Sequence, residues 1–227
     1  MKNSPQLNPT YIAKFYAEKK LNDHFGSSNL NILNFLDKDI VLYLNDFFII
    51  TRDLSITLNE EFRRCYFDYS FAVVPVHKAF ETYLNRILIL LFDYEITKDP
   101  QKTVGHYLNL SNEEKSKKLD ETEREMNLKL NKPEWLSRWN ALSDHWKKNR
   151  NPLTHSGEER IETLAKAEQI ANSIIREMNL SLKLFTAEFI DPLLTRVKEQ
   201  EDKKIEEEKK KHEIAMKIMK EKASGIN

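Results

Sequence analysis

Cysteine and glycine are scarce in this chain, and each scarcity removes a class of structure. A single cysteine, Cys65, excludes an internal disulfide and a cysteine-rich zinc site, and it is typical of a reducing cytoplasm. Four glycines and seven prolines among 227 residues are too few for the many turns of a sandwich or barrel. With 40% hydrophobic and 32% charged residues, the composition predicts an all-α protein with a real core.

The chain also lacks an excess of charge of either sign and a long apolar run. Its 36 basic and 36 acidic residues cancel, so whole-chain charge gives no support for a nucleic-acid partner, and any basic footprint must be local. The longest purely apolar run, Ile87–Phe92, is far too short to span a bilayer, and the N-terminus has no signal-like apolar stretch. We therefore expect a cytoplasmic protein that does not contact a membrane.

Apolar residues spaced three and four apart predict helices through most of the chain. We expect a bundle of four to five helices over residues 30–195. The polar residues 1–29 before it predict an N-terminal arm that holds at most a short helix at Tyr11–Leu21 and then a loop. The predicted helices of the bundle are Leu30–Thr51, for which a strand at Ile40–Leu44 is the alternative, then Glu60–Asp93, Glu134–Asn149 and about 156–190.

Three further segments modify this bundle. Pro75 should kink the helix at 60–93 or begin its main part, because proline removes a backbone donor. Residues 97–133 are highly charged and predict an insertion with one amphipathic helix at Glu113–Leu130. Residues 196–227 predict a solvated helical tail supported by the i,i+4 pairs Glu206–Lys210 and Glu207–Lys211, with contact to RNA or a protein partner as the alternative.

The most informative stretch is the hexamer Arg150–His155. Asn151-Pro152 disfavours helical geometry, which predicts a tight turn between two helices, and Ser156–Glu159 has the pattern of a capping box that opens the next helix. A helix N-terminus at this place would offer free backbone donors to a phosphate. Arginine holds phosphate oxygens and histidine moves a proton near neutral pH, which together suit phosphodiester cleavage without a metal.

The hexamer resembles the Arg-Asn-x-x-x-His signature of the HEPN superfamily. A second stretch, Asp68–Glu81, resembles the segment before the catalytic glutamate of RNase LS (RnlA-like) toxins: Asp-Tyr-Ser, then apolar residues and a proline, then an apolar-Glu pair. The resemblance covers roughly residues 30–195. It implies an all-α HEPN-like bundle and a metal-independent endoribonuclease without a cofactor. In that reaction the RNA 2′-hydroxyl attacks the adjacent phosphorus and leaves a 2′,3′-cyclic phosphate.

The same resemblance implies roles for individual residues. Arg150 and His155 match the catalytic pair, Glu81 matches the supporting acid, and Asn151 matches the polar residue that commonly follows the arginine. Lys78 and Lys148 lie beside these positions and are expected to help bind RNA. The resemblance further implies a homodimer that joins two copies of the site, a toxin or anti-phage defence context, and a possible protein antitoxin.

Each of these residues has a structural alternative. Arg150 could cap the C-terminus of a helix, and Glu81 could form an ordinary ion pair with Lys78 at i−3. The three tryptophans follow helical spacing, which favours core packing over base stacking: Trp135, Trp139 and Trp146.

The histidines predict no metal site. His77 is expected to be a residue of a helix face, and His106, His145 and His212 show no metal-ligand spacing with each other.

For the chain as a whole, the alternative is a catalytically inactive HEPN-like module that binds RNA or a protein partner. The charged insertion and tail fit such an adaptor at least as well as they fit an enzyme. The sequence leaves open the RNA preference, the identity of an antitoxin or activator, and the roles of residues 97–133 and 196–227.

Overall fold

A computed structural model describes residues 9–57, 68–92, 103–154 and 160–192, together with 194–195, 198, 203 and 205–212. These residues form helices and no strand, which confirms the predicted all-α class. Five of the described helices have 20 residues or more. In chain order the α-helices are α1 (Pro9–Leu36), α2 (Lys38–Thr57), α3 (Ser70–Phe92), α4 (Val104–Leu108), α5 (Asn112–Glu125), α6 (Lys132–Thr154) and α7 (Leu164–Phe185).

The chain divides into two compact units, Met1–Leu184 and Phe185–Asn227. The predicted limits of the domains, 1–29, 30–195 and 196–227, stay predictions. In the described part of the chain, no helix has the combination of length and apolar character that crossing a membrane requires.

Helix α1 is longer than the sequence indicates and is bent at Gly26. The loop predicted after Leu21 is helical, and Gly26 alone departs from helical geometry, with φ 71° and ψ 160°. Asn179 in α7 forms hydrogen bonds to residues next to the bend. Its Nδ2 donates to the carbonyl of His24 at 2.7 Å. Asn29 Nδ2 in turn donates to Asn179 Oδ1 at 3.0 Å. The bend is therefore part of the packing between α1 and α7.

Replacing Gly26 by alanine should destabilise the protein through backbone strain alone. No atom lies within 4 Å of an added β-carbon, but only glycine readily adopts this conformation. We expect the free energy of unfolding to fall by about 1–3 kcal/mol in urea denaturation. Ser28→Ala, two residues on in the helical region, is the matched control and should change little. Equal stabilities of the two variants would show that the bend does not depend on glycine.

The predicted helix Leu30–Thr51 is divided at Asp37 into the end of α1 and the start of α2. Asp37 Oδ1 accepts the backbone N–H of Asp39, which satisfies a free donor in the first turn of α2. Its other oxygen accepts from Nε and Nη2 of Arg86 in α3, at 3.0 and 2.8 Å. The strand alternative at Ile40–Leu44 is wrong, because this run lies inside α2.

Helix α3 is central in the first unit and packs against α1, α2, α4, α5 and α6. It begins at Ser70, so the predicted helix from Glu60 is interrupted at Asp68 and Tyr69, and residues 60–67 lie outside the described residues. Pro75 lies inside α3, where it removes the donor that the carbonyl of Phe71 would otherwise meet. The apolar C-terminal run is buried at Ile87, Leu88 and Leu91, as expected, whereas Leu90 is 44% exposed.

The charged segment 97–133 is packed against the bundle where it is described. Helix α4 was not predicted, and α5 spans Asn112–Glu125 instead of Glu113–Leu130, with a capping box between Ser111 and Glu114. Lys115 is buried, its Nζ donates to Asn140 Oδ1 at 2.7 Å, and burial lowers its pKa. Thr122 Oγ1 lies 2.7 Å from the carbonyl oxygen of Leu91 at the end of α3. The segment is thus tied to both α3 and α6.

Helix α7 completes the first unit through buried polar contacts. The hydroxyl of Tyr83 in α3 and Oγ of Ser181 lie 2.7 Å apart, and burial raises the pKa of the tyrosine. Arg138 in α6 donates to Glu177 Oε2 at 3.1 Å. Apolar side chains from α2, α3, α7 and the residues just before α3 and α7 form one cluster: Ile50, Leu54, Tyr69, Ala72, Val73, Ile161, Leu164, Ala167 and Ile170.

The second unit begins at Phe185 and contains a π-helical turn, Thr186–Ile190. Within it the rings of Phe185 and Phe189 stack with centroids 5.3 Å apart. Residues 205–212 are helical and exposed, and Lys210 Nζ lies 2.8 Å from Glu206 Oε1, which confirms this predicted i,i+4 pair.

Candidate functional site

The first five residues of the hexamer, Arg150–Thr154, form the C-terminal end of α6. The backbones of Arg150 and Asn151 are helical and close to the end of α6 at Thr154. The side chains of both residues lie outside the described part of the structure, and His155 lies outside it entirely. Their predicted roles in catalysis stay predictions.

The predicted turn at Asn151-Pro152 is wrong, because α6 continues through both residues to Thr154 instead of ending at Asn149. The preference of a residue before proline for extended geometry is a bias that the helix overrides here. The next helix begins at Leu164, and Arg160–Glu162 before it are not helical, so the Ser156–Glu159 segment, which lies outside the described residues, does not open it. Arg150–Thr154 therefore belong to the end of one helix, and the next described helix begins ten residues later in the chain, at Leu164.

Glu81 and Lys78 lie on the exposed side of α3, and Lys148 is exposed on α6. The alternative ion pair between Glu81 and Lys78 is not formed: Lys78 Nζ lies over the ring of Tyr43, 5.7 Å from its centroid. Among the described residues, no cation forms an ion pair with Glu81. The carboxylate of Glu81 is therefore accessible, and its neighbours in the described part do not assign it a structural role.

The stretch Asp68–Glu81 is bonded at its start to Ile161, which lies six residues beyond the hexamer. The backbone N–H of Tyr69 donates to the carbonyl of Ile161 at 2.8 Å. In the opposite direction, the N–H of Ile161 donates to Asp68 Oδ1 at 3.3 Å. The same Asp68 oxygen accepts the N–H and hydroxyl of Ser70, and the hydroxyl is the main cause of a lowered pKa at Asp68. The Asp68 side chain thus accepts hydrogen bonds from the first residue of α3 and from Ile161, six residues beyond the hexamer.

Replacing Asp68 by alanine should remove all three of these hydrogen bonds. The loss of a helix N-terminal cap typically costs about 0.5–2 kcal/mol, and we expect a decrease in the free energy of unfolding at the upper end of that range. Asp68→Asn is the matched control, because it retains an oxygen that can accept the same donors and should lose less. The measurement is urea denaturation of both variants; equal losses would assign the effect to charge instead of to hydrogen bonding.

His77 is the most strongly perturbed histidine of the described residues. It lies on α3 one turn before Glu81, and burial lowers its pKa to about 4. It is therefore neutral at physiological pH. Burial also lowers the pKa of His24, whose ring stacks on Phe48, and that of His145 in α6.

The tryptophans of α6 divide into two groups. Trp135 and Trp139 are buried at 3% exposure each, as core packing predicts. Trp146 is half-buried and lines an open cleft of about 580 Å³. Residues of α4, of the turn that follows it and of the first turn of α5 also line the cleft, among them Gly105, His106, Asn109 and Glu114.

Sequence reasoning missed this cleft, because its residues come from segments about 40 positions apart in the chain. Gly105 was the one available signal: a β-carbon there would lie 2.6 Å from Cη2 of Trp146, so the tryptophan ring requires glycine at this position. Within the described residues, no group of three or more His, Cys, Asp or Glu side chains is arranged to hold a metal ion.

Comparisons of the chain with models of protein families, with curated proteins and with solved structures gave no match.

Proposed function

We propose that this protein is a metal-independent endoribonuclease of the HEPN type, acting through Arg150, His155 and Glu81. The RNA 2′-oxygen forms a bond to the adjacent phosphorus, and the bond from phosphorus to the 5′-oxygen of the next nucleotide breaks. One proton leaves the 2′-hydroxyl and another reaches the departing 5′-oxygen. The products are a 2′,3′-cyclic phosphate and a 5′-hydroxyl, so no water and no cofactor enter this step.

The roles follow from the chemistry of each side chain. His155 moves the proton as general base or acid, which typically contributes about 10²–10⁴-fold to the rate. Arg150 binds the non-bridging oxygens as negative charge grows on them, and its planar fork of donors suits this geometry. Glu81 orients one of these two groups. Asn151, Lys78 and Lys148 contact the RNA backbone next to the cleaved linkage.

The proposal is supported chiefly by contacts between the parts of the chain that carry the proposed residues. Asp68 and Tyr69 begin the stretch Asp68–Glu81, and both bond to Ile161, six residues beyond His155. Helices α3 and α6, which carry Glu81 and Arg150, also pack against each other. The helices that carry Glu81 and Arg150 are therefore neighbours in the fold, as a shared site requires.

One histidine is a small catalytic set, and the proposal therefore includes a homodimer that brings two copies of the hexamer together. Such an enzyme would harm its own cell, so a protein antitoxin and a role as toxin or anti-phage defence component form part of the same proposal. Sedimentation and mixing of differently tagged chains test the homodimer.

The first test is cleavage of an end-labelled RNA by the purified protein in the presence of a chelator. We expect fragments that end in a 2′,3′-cyclic phosphate and begin with a 5′-hydroxyl, in amounts that the chelator does not change. Loss of activity with the chelator, or 3′-hydroxyl and 5′-phosphate ends, would contradict the proposed chemistry.

The competing proposal is a catalytically inactive helical module that binds RNA or a protein partner. The bonding of Asp68 favours it, because capping α3 and holding Ile161 accounts for the Asp-Tyr-Ser stretch without catalysis. RNA that stays intact with the wild-type dimer over a range of pH would decide for this second function.

A further inference from the structure

Helix α2 is built from consecutive repeats of seven residues, 38–44, 45–51 and the shorter 52–57. Each repeat begins with a basic residue or an asparagine, followed by an aspartate. Each also has an apolar residue at its third position and another at its fifth. Because seven residues make almost two turns of an α-helix, equivalent positions of the repeats lie in line along α2. The fifth positions form one such line: Leu42, Ile49 and Ile56.

The two apolar lines of α2 have different surroundings. The third positions point to the core, where Ile40 and Phe47 are buried. At the fifth positions, Leu42 is 53% exposed, Ile56 is 65% exposed and Ile49 is half-buried. A helix that packs only against its own bundle needs one apolar face. The line Leu42–Ile49–Ile56 is therefore a second apolar face, which we call the outer seam.

The helices beside α2 also carry exposed apolar residues. Helix α2 packs against both α1 and α3, which contact each other far less. Among the described residues of the first unit, every exposed large apolar side chain belongs to α1, α2 or α3. Phe15 and Phe35 on α1 and Leu90 on α3 are examples, and Phe35 is 81% exposed. Exposed apolar residues gathered in one part of a surface are typical of a protein-binding site.

The two sides of the outer seam differ in charge. Each residue of an α-helix turns by about 100°, so the residues three and four positions away from an apolar residue lie on opposite sides of it. One side of the seam holds the first residues of the repeats: Lys38, Asn45 and Arg52. The other side holds the second residues: Asp39, Asp46 and Asp53. Arg52 Nη1 and Asp53 Oδ1 lie 3.0 Å apart, and such a surface pair contributes little.

This charge pattern fits a second copy of α2 that runs parallel to the first. About a twofold axis along the helices, each residue of the outer seam meets its own copy, and the basic side of one helix faces the acidic side of the other. In an antiparallel pair, the two acidic sides would face each other. A foreign helix with charges of one sign would meet like charges on one side of the seam.

We infer that α2 joins two copies of this chain as a parallel pair of helices, with Leu42, Ile49 and Ile56 each packed on its own copy. Lys38 lies beside the partner subunit's Asp39, and Arg52 lies beside the partner subunit's Asp53. The inference goes beyond the proposed ribonuclease, because no residue of α2 takes part in the proposed reaction.

The first test is sedimentation of the full-length protein over a range of concentrations. We expect a homodimer whose dissociation constant rises by roughly 30- to 1,000-fold in Leu42→Ala, because each dimer loses two copies of the side chain. Leu194→Ala, at an exposed position of the second unit, is the matched control and should change nothing. Circular dichroism checks that each variant is folded. A wild-type protein that stays monomeric, or a dimer that Leu42→Ala leaves unchanged, overturns the inference.

Cross-linking tests the parallel direction, in a chain that carries Cys65→Ser. Mild oxidation should link Leu42→Cys to its own copy and Ile56→Cys to its own copy. A mixture of these two variants should give no mixed product, because the helix between the two positions is about 21 Å long. Lys129→Cys, exposed between α5 and α6, is the control and should stay unlinked. Links that form only in the mixture would show an antiparallel pair and overturn the inference.

The charges beside the outer seam have a test of their own. Asp39→Lys places a lysine beside the partner subunit's Lys38 and should weaken the dimer. The added change Lys38→Asp restores opposite charges and should strengthen the dimer again. A double variant that dissociates as readily as Asp39→Lys alone would overturn the inference, since charge would then not select this pairing.

Failure of the α2 pairing and failure of the ribonuclease give different results. An active dimer that ignores Leu42→Ala and forms neither cross-link overturns the α2 pairing and leaves the proposed function standing. A dimer that depends on Leu42 and links at both positions, in a protein that cleaves no RNA, supports the α2 pairing and contradicts the nuclease.

Discussion

Replacement of His155 by alanine is expected to lower the rate of RNA cleavage by about 10²–10⁴-fold, because the proton would no longer be moved by a positioned group. Arg150→Ala should cost about 10²–10³-fold through lost stabilisation of charge on the phosphate oxygens. The two residues act on one transition state, so the double variant should lose far less than the product of the single losses. Single-turnover cleavage of a labelled RNA measures all three.

Two further variants separate catalysis from folding. Arg150→Lys keeps the positive charge but not the planar fork, so its rate should lie between those of wild type and Arg150→Ala. His212→Gln, at an exposed position of the C-terminal unit, should cleave at the wild-type rate. His155→Ala that cleaves as fast as wild type while remaining folded would remove this residue from the mechanism.

The second large effect concerns stability in acid and originates at His77. Burial lowers the pKa of His77 from 6.5 to about 4, so the unfolded chain binds a proton more readily than the folded one between these values. Neutral His77 therefore makes its full contribution to the free energy of unfolding above pH 6.5, and this contribution is lost as the pH falls towards 4. At 1.36 kcal/mol per pKa unit, the total loss is roughly 3 kcal/mol.

The check is urea denaturation at several pH values between 7 and 4 for wild type, His77→Leu and His212→Gln. The wild-type protein and the His212→Gln control should lose stability in parallel, whereas His77→Leu should lose roughly 3 kcal/mol less over the same interval. His24 and His145, whose pKa values are also lowered by burial, should leave a smaller residual slope in the same direction. Parallel curves for all three proteins would show that His77 is not buried.

The periodic parts of the fold were predictable because apolar spacing reports directly on helix burial. Helices α2, α3, α6 and α7 were expected near their observed positions, and the buried run at the end of α3 follows from its composition. The bend at Gly26 and the break at Asp37 could not be predicted from the sequence, because each involves a partner that is distant in the chain. These partners are Asn179 for the bend and Arg86 for the break.

The candidate site was predictable only in part for the same reason. The hexamer was visible as a local motif, but a sequence rule for the residue before proline gave the wrong end for α6. The role of Asp68 in holding Ile161 could not be foreseen, because it joins residues 93 positions apart. Trp146 looked like its buried neighbours Trp135 and Trp139 until Gly105 placed an open cleft beside it.

The account depends on the attack of a ribose 2′-hydroxyl, and one substrate tests this directly. An RNA with a mapped cleavage position is made again with a single 2′-deoxynucleotide on the 5′ side of that linkage. We predict that cleavage disappears at this linkage and continues at every other one, with a chelator present throughout. Continued cleavage at the deoxy position would contradict the mechanism and the assignment of Arg150 and His155 to it.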